Sequence, residues 1–327
     1  MPANLPPQYY EAEEVYRNAD TAEEKIAALK EMLAIMPKHK GTEKLQANLR
    51  KKISNLKEEK EKKSETTGTY NPYKIEKEGA GQIILMGYPN TGKSSLLATF
   101  SNAKVKVADY PFTTSLPQPG MIPYEDIQIQ VIDTPPLVPD DVSGPMIGAI
   151  QRADFPVLLI DSSSDKCLEQ LSGTLDFLKS KRIVREEVPE KVKAYCPEDL
   201  LIFASKADFD GSESNLEVIK ELYPDLNIIP LSIKKNINKD RVPELFFKKL
   251  NKIRVYSKEP GKDPDYEKPF VLNKNSTVLD FAGEIHRDFA DRLKKARIWG
   301  SSRFEGQPVS QDYILQDQDV VELHIEK

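Results

Sequence analysis

The residues best suited to chemistry lie together at positions 87–95, which read Gly-Tyr-Pro-Asn-Thr-Gly-Lys-Ser-Ser. An apolar run at 83–86 precedes them, and a helix-compatible run at 96–100 follows. The order strand, Gly-x-x-x-x-Gly-Lys-Ser, helix is typical of a P-loop. Glycines let backbone N–H groups turn inward around phosphate oxygens, and the helix directs its positive N-terminal end at the same anion. The stretch therefore predicts a site for the phosphates of a nucleotide.

The side chains of this loop have distinct expected roles. Lys93 is expected to reach the β- and γ-phosphates, and the Ser94 hydroxyl is expected to ligate Mg²⁺. The remaining loop contacts to the nucleotide are expected from Gly87, Pro89, Asn90, Thr91, Gly92 and Ser95.

Two carboxylates follow later apolar runs. Residues 127–132 alternate apolar and polar side chains and end at Asp133, where an acid facing the P-loop would hold Mg²⁺ through a water. The run at 200–204 leads into Ser-Lys-Ala-Asp at 205–208. The Asp208 carboxylate can accept hydrogen bonds from N1–H and the N2 amino group of guanine. Because adenine lacks both donors, discrimination of ~10⁴ is attainable, and the motif predicts a guanine nucleotide.

Neighbouring residues are expected to add to base recognition. The Lys206 stem can lie along the base, and the Ser205 hydroxyl can hydrogen-bond within the loop. A backbone N–H in the turn after the run at 227–231 could read guanine O6. That turn begins with Ser232, Ile233 and Lys234.

The pattern of elements predicts more than one domain. Apolar runs alternate with helix-compatible stretches over 80–252, which predicts an α/β domain with a doubly wound, mostly parallel sheet. Ligands of such sheets bind beyond the carboxyl ends of the strands, where the motifs above fall. Residues 1–64 are rich in helix formers and predict an N-terminal helical region. Residues 65–79 read as a linker, and residues 253–327 as a small α+β domain.

Composition narrows the class of protein. The chain has 327 residues and a net charge of −5, and 30% of its residues are charged. No apolar run approaches the ~18 residues that span a membrane, and the N-terminus lacks a basic-then-apolar signal pattern. The two cysteines give neither a disulfide framework nor zinc spacing. We therefore expect a cytoplasmic protein with no membrane partner. We expect no DNA partner either.

One segment is basic despite the negative net charge. Residues 38–63 contain ten Lys or Arg and four Glu. Such a segment could contact RNA phosphates, or it could be the solvated face of a helical arm. The sequence leaves both interpretations open.

Several motifs together resemble one family of GTPases. The P-loop at 87–95 with Asp-Tyr-Pro-Phe-Thr-Thr at 109–114 resembles the Obg-type translation-factor GTPases. His-Lys-Gly-Thr-Glu-Lys-Leu at 39–45 resembles the N-terminal helical motif of their developmentally regulated GTP-binding (DRG) branch. The stretches at 254–261, 285–289 and 296–302 resemble the TGS domain of that branch, a ubiquitin-like β-grasp. The resemblance covers nearly the whole chain.

The resemblance implies a cytoplasmic GTPase that binds GTP or GDP with Mg²⁺ and associates with ribosomes or ribosomal RNA. It also implies a partner protein that stabilises it. Thr114 matches the switch I threonine that closes on Mg²⁺ and the γ-phosphate, with the adjacent Thr113 as the alternative. Asn90 matches an asparagine that helps potassium-activated relatives to hold K⁺; the alternative is a turn residue that stabilises the loop.

The chain departs from the family pattern near the γ-phosphate. Pro136 replaces a glycine whose N–H would bind the γ-phosphate, and losing one such donor costs about 10²–10³ in rate. Leu137 stands where Ras-like enzymes place a water-orienting glutamine, although Obg relatives also have an apolar residue there. Ser205 replaces the usual asparagine of the guanine motif. Residues 161–200 are too short for the insertion of eukaryotic members, which suggests a compact prokaryotic-type member.

These observations favour a slow GTPase that acts as a nucleotide switch, with Lys93, Thr114 and Asn90 as its catalytic residues. The alternative, motivated by Pro136, is a nucleotide-gated module that binds ribosomes or RNA with little or no hydrolysis. A third hypothesis is an RNA-binding adaptor in which the chain ends dominate. An ATPase would require Asp208 to be incidental.

Overall fold

A computed structural model of the protein describes residues 71–101, 116–138, 142–189 and 192–326. It also describes ten separate residues nearer the N-terminus, namely Tyr9, Ala28, Leu29, Met32, Leu33, Ile35, Met36, Gln46, Leu49 and Lys52. The chain divides into two units, Met1–Asn71 and Pro72–Lys327.

The first unit has its own small core. Leu29, Met32, Met36 and Leu49 are buried together with Tyr9. The spacing of these side chains is that of apolar stripes on helices. The rest of the predicted helical region at 1–64 lies outside the described residues.

The larger unit contains a six-stranded sheet. Its strands are β1 (Gln82–Met86), β2 (Gln118–Tyr124), β3 (Ile127–Asp133), β4 (Phe155–Asp161), β5 (Leu201–Ser205) and β6 (Ile228–Pro230). Their order is β2-β3-β1-β4-β5-β6, and every pairing is parallel except that of β2 with β3. The predicted mostly parallel sheet is therefore confirmed. The sequence did not reveal β2, because two prolines and a glycine interrupt it; such residues are tolerated in an edge strand.

Helices cover both faces of this sheet. They are α1 (Lys93–Phe100), α2 (Gly144–Arg152), α3 (Cys167–Ser180), α4 (Ser212–Leu222) and α5 (Val242–Leu250). Alternate residues of β1 point to opposite faces, so that Ile84 joins a core with α2, α3 and α4 whereas Ile83 joins a core with α1 and α5. Burial on both faces explains why the central strands are continuous apolar runs.

A second sheet follows directly after α5. Its strands are β7 (Lys252–Lys258), β8 (Phe270–Asn273), β9 (Leu293–Trp299), β10 (Gln307–Val309) and β11 (Asp319–Ile325). The order is β10-β9-β11-β7-β8, with β11 and β7 parallel and the other pairs antiparallel. This is a β-grasp arrangement, as predicted.

One helix of eight residues packs on the second sheet. α6 (Val278–Ile285) begins at Thr277, which forms a capping box with Asp280, and it is followed by α7 (Arg287–Asp291). Thr277 followed three residues later by Asp280 is a local sequence signal for this helix start. β9 begins at Leu293, and the exposed Lys294 and Lys295 conceal the first part of this strand in the sequence pattern.

None of the helices in the described part of the chain combines the length and the apolarity that crossing a bilayer requires.

Phe281 should be a main support of the second sheet. Its ring is fully buried and meets Phe270 edge-on at 5.3 Å between centroids. Phe281→Ala should lower the free energy of unfolding of this sheet by about 3–5 kcal/mol, because it leaves a cavity. The chain has one tryptophan, Trp299 on β9, so denaturant unfolding can be followed by its fluorescence. Phe304→Ala is the control, since Phe304 is 60% exposed, and an equal loss in both variants would contradict the prediction.

Candidate functional site

The predicted P-loop connects β1 to α1 at the carboxyl edge of the sheet. Gly87 lies so close to β4 that a Cβ there would be 2.3 Å from the carbonyl oxygen of Leu159. Gly92 precedes α1 with a left-handed backbone (φ 87°). Both glycines are therefore required by geometry, the first by close packing and the second by its backbone conformation.

Lys93, the first residue of α1, reaches back across the loop. Its Nζ donates hydrogen bonds to the carbonyl oxygens of Gly87 (2.8 Å) and Tyr88 (2.9 Å). Burial lowers the pKa of Lys93 to about 8, and the negative charge of Asp133 partly opposes this shift. An anion beside the amine favours its charged form, so that phosphate binding and protonation of Lys93 support each other.

Ser94 and Asp133 meet where α1 begins and β3 ends. Ser94 Oγ donates to Asp133 Oδ2 at 2.6 Å, and Asp133 is fully buried. A hydroxyl and a carboxylate are oxygen donors that suit Mg²⁺, which keeps several waters and takes few protein ligands. These residues therefore fit a Mg²⁺ ion beside the phosphates.

The backbone after Asp133 is tied to the P-loop. Thr134 Oγ1 donates to the carbonyl oxygen of Leu85 (2.7 Å), and the Leu137 N–H donates to the carbonyl oxygen of Gly87 (2.9 Å). The Leu137 side chain is fully buried in the core against α2 and α3. The Leu137 side chain therefore belongs to the core and cannot orient a water, as the glutamine of Ras-like enzymes does.

The predicted guanine motif lies beside the P-loop. A Cβ on Gly92 would be 3.8 Å from Ser205 Cβ, which puts the end of β5 next to the start of α1. Ser205 Oγ donates to the carbonyl oxygen of Ile160 (2.9 Å), and so its hydroxyl bonds to β4. Lys206 has a left-handed backbone (φ 59°), and Asp208 follows it half-buried at the same edge.

The turn after β6 completes this edge. The Ala207 N–H donates to the carbonyl oxygen of Leu231 (3.1 Å), which links the guanine motif to this turn. Ser232 is buried and its Oγ accepts from the Lys235 N–H (3.0 Å), while Ile233 is half-buried and Lys234 exposed. The predicted base-contacting segments therefore come from neighbouring strand ends.

The remaining predicted residues of the P-loop differ in their burial and contacts. Thr91 is buried, and its hydroxyl donates to the carbonyl oxygen of Tyr88 (3.0 Å), whereas Pro89 and Ser95 are half-buried. Asn90 is exposed and has a left-handed backbone (φ 62°), a conformation compatible with both of its predicted roles. Thr113 and Thr114 lie outside the described residues.

The structure adds Asp161, which the sequence interpretation missed. It ends β4, and its carboxylate forms an ion pair with Lys206 and accepts from the Ser163 hydroxyl (2.7 Å). Its backbone N–H donates to Gln170 Oε1 (2.9 Å). An acid directly after a buried apolar run was the available signal, the same one that identified Asp133.

Two more polar side chains fix the same loop. Ser162 Oγ donates to the carbonyl oxygen of Ser205 (2.6 Å), and Asn215 Nδ2 donates to the carbonyl oxygen of Ser162 (2.9 Å). These bonds join the ends of β4 and β5 to α4, and they hold Lys206 beside the position expected for a base.

Two known families match separate parts of the chain. The family described as "50S ribosome-binding GTPase" matches residues 82–188, and the family described as "TGS domain" matches residues 253–325. The first match contains the P-loop, and the second coincides with the five-stranded sheet.

Relatives match this chain over nearly its whole length at modest identity. An uncharacterized GTP-binding protein of Methanocaldococcus jannaschii is 27% identical over 93% of this chain and 93% of its own length. Developmentally-regulated G-protein 2 of Arabidopsis thaliana is 26% identical over 92% of this chain and 90% of its own. Ribosome-interacting GTPase 1 of Saccharomyces cerevisiae is 25% identical over 92% of this chain and 98% of its own.

Asp161 should contribute to the binding of a guanine nucleotide through Lys206. Asp161→Asn removes the charge that holds the Lys206 amine but keeps a polar group of the same shape. Because Lys206 is about one-third exposed, water screens the ion pair, and its contribution to the binding free energy should be about 1 kcal/mol. Its loss corresponds to about fivefold weaker binding. Titration with a fluorescent GDP measures the effect. Asp165→Asn, at an exposed position of the same loop, is the matched control and should bind GDP like the unaltered protein.

Proposed function

We propose that this chain, which belongs to the DRG family of GTPases and carries a C-terminal TGS domain, hydrolyses GTP slowly and acts as a nucleotide switch on ribosomes or RNA. The observation that carries the proposal is the meeting of Lys93, Ser94 and Asp133 at the edge of the sheet where Ser205 and Asp208 also lie. The proposed phosphate, Mg²⁺ and guanine sites thus adjoin one another.

Different residues have different proposed roles in hydrolysis. Loop N–H groups at 87–95 and the Lys93 amine would hold the phosphates, and Ser94 with Asp133 would hold Mg²⁺, whose positive charge would be supplied beside the phosphate oxygens. Thr114 is the proposed further ligand of Mg²⁺, on the side of the γ-phosphate. Water attacks the γ-phosphate in line and GDP leaves, so that the products are GDP and phosphate. Asn90 is the proposed side chain for a K⁺ ion beside the phosphates.

Hydrolysis should be slow because few groups can organise the attacking water. Pro136 has no N–H to offer the γ-phosphate, and the Leu137 side chain lies in the core. Preorganised donors of this kind are each worth about 10²–10³ in rate.

Association with ribosomes is proposed from the relatives. One matching family is described as ribosome-binding, and one relative is named as ribosome-interacting. The proposed contact regions are the basic segment at 38–63 and the five-stranded sheet β7–β11, which we call the TGS sheet. We propose that the protein acts in the cytoplasm and that a partner protein stabilises it. If the switch cycles, GTP orders the segments near Thr114 and Asp133, and hydrolysis releases them.

A nucleotide-gated binding module is the second candidate. It would hold GTP or GDP and dock on RNA or protein without meaningful hydrolysis. Pro136 and the buried Leu137 favour it, because together they leave the γ-phosphate side poorly equipped.

Base specificity should reside in Asp208. Asp208→Asn should weaken GDP binding at least about 100-fold, because an amide cannot accept from both guanine donors. The same variant should gain affinity for xanthosine diphosphate, whose 2-carbonyl accepts from the new amide. Titration with both nucleotides measures the exchange, and Asp210→Asn at an exposed position nearby is the control. Unchanged GDP affinity would remove the guanine assignment.

Pro136→Gly separates the enzyme from the binding module. The unaltered protein should release phosphate from GTP measurably, and Lys93→Ala should abolish this. Pro136→Gly restores an N–H but should raise the rate less than tenfold, because Leu137 keeps the adjoining backbone in the core and bonded to Gly87, which holds the new N–H away from the γ-phosphate. A gain of about 100-fold or more would instead favour the binding module. Pro135→Gly is the control, because it adds an N–H one position earlier.

A further inference from the structure

We propose that Arg254 is a positioning residue that couples the TGS sheet to the nucleotide site through the β2–β3 hairpin. The orientation of the sheet and the preference for GTP over GDP would then depend on each other. This inference rests on the proposed nucleotide switch.

The Arg254 guanidinium is held by carboxylates from both sides of the junction between the two sheets. On the hairpin side, Nη1 donates to Glu125 and to Asp126 Oδ1 (2.8 Å). On the TGS side, Nε and Nη2 donate to the two carboxylate oxygens of Asp317 (3.1 and 2.7 Å). The Arg254 side chain is only 3% exposed, but Glu125 is 50% and Asp317 36% exposed, so that water partly screens the charges while the charge-assisted hydrogen bonds fix the geometry.

Aromatic rings enclose the same guanidinium. Its central carbon lies 5.5 Å from the centroid of Tyr124, at the end of β2, and 5.2 Å from that of Phe247 on α5. The Tyr256 hydroxyl, two residues further along β7, donates to Asp126 Oδ2 (2.5 Å). Burial raises the pKa of Asp126, but hydrogen bonds from Tyr256 and Arg254 outweigh it and leave the pKa below its usual value. The carboxylate therefore stays ionised at neutral pH.

The acceptor on the TGS side is itself fixed. Asp317 Oδ1 also accepts from the backbone N–H of Arg254 (2.7 Å), and the Gln318 N–H donates to the carbonyl oxygen of Arg254 (2.8 Å). Because Arg254 is locked onto its own sheet, a movement of that sheet would carry the guanidinium with it. A movement of the guanidinium alone would break its hydrogen bonds to Glu125 and Asp126, so that the hairpin tip should follow it.

The hairpin ends at the nucleotide site. β2 and β3 pair along their whole length, from Tyr124 opposite Ile127 at the tip to Gln118 opposite Asp133 at the base. β3 is also paired with β1 on its other side, so it transmits displacement as a stiff element. At its base Asp133 accepts from Ser94, and β2 begins shortly after the segment that contains Thr114.

Most of the side chains around Arg254 therefore belong to the β2–β3 hairpin. This hairpin connects the two segments proposed to respond to the γ-phosphate, which are those near Thr114 and Asp133. A ligand-dependent shift at either segment would move the tip and hence the TGS sheet. By linkage, whatever binds the TGS sheet in one orientation would change the GTP-to-GDP affinity ratio by the same factor.

The test uses the full chain and Trp299 as a built-in donor. Fluorescence transfer from Trp299 to a bound N-methylanthraniloyl nucleotide reports the distance from the TGS sheet to the site. In the unaltered protein we expect different transfer with GDP and with a non-hydrolysable GTP analogue. Arg254→Met, which keeps the apolar stem, should abolish this difference and change the ratio of the two affinities about fivefold or more. A merely structural loss would weaken both nucleotides alike.

Controls make the outcomes distinct. Lys252→Met removes a contact of the same strand with Asn273 and should change neither readout. The paired change Glu125→Gln with Asp126→Asn breaks the cluster from the hairpin side, should reproduce Arg254→Met, and carries the test if that variant does not fold. An unchanged ratio and unchanged transfer difference in a folded variant overturn the coupling. Failure of the unaltered protein to bind either nucleotide overturns the proposed function instead.

Discussion

The parallel pairing of β1 with β3 on one side and with β4 on the other is the constraint on which the site depends. It brings the carboxyl ends of three strands to one edge, where the P-loop, Asp133 and Asp161 follow them. Gly87 can leave β1 only because it lacks a Cβ that would meet the carbonyl oxygen of Leu159. The chemistry of the loop is therefore inseparable from the close packing of the central strands.

The two halves of the site are built differently. On the base side, side chains bond to backbone carbonyls of neighbouring strands, as Ser205 does to Ile160 and Ser162 does to Ser205. On the γ-phosphate side, the backbone after Asp133 turns toward the core, and its N–H at Leu137 is used within the protein. The groups proposed to recognise the nucleotide are thus held in fixed positions, whereas the proposed assistance to hydrolysis depends on segments beyond them.

The sequence predicted those features that depend only on residues close together in the chain. The P-loop, the strand ending at Asp133 and the capped start of α6 all follow from neighbouring residues, and the apolar runs predicted the central strands. The ion pair of Asp161 with Lys206 spans 45 positions, and that of Arg254 with Glu125 spans 129. Such pairs are created by topology, and no short window of one sequence contains both partners. β10 and β2 were missed for a related reason, since prolines mask edge strands that pairing alone defines.

The burial of Leu137 has a consequence for how substitutions in this chain should be interpreted. Its side chain shares a core cluster with Met146 and Ile150 of α2, although its backbone N–H bonds to the first residue of the P-loop. A change in the size of either helix residue would thus reach the phosphate loop through one leucine. For the proposed switch, natural variation at these two packing positions is therefore a route by which its timing changes while every residue of the loop stays the same.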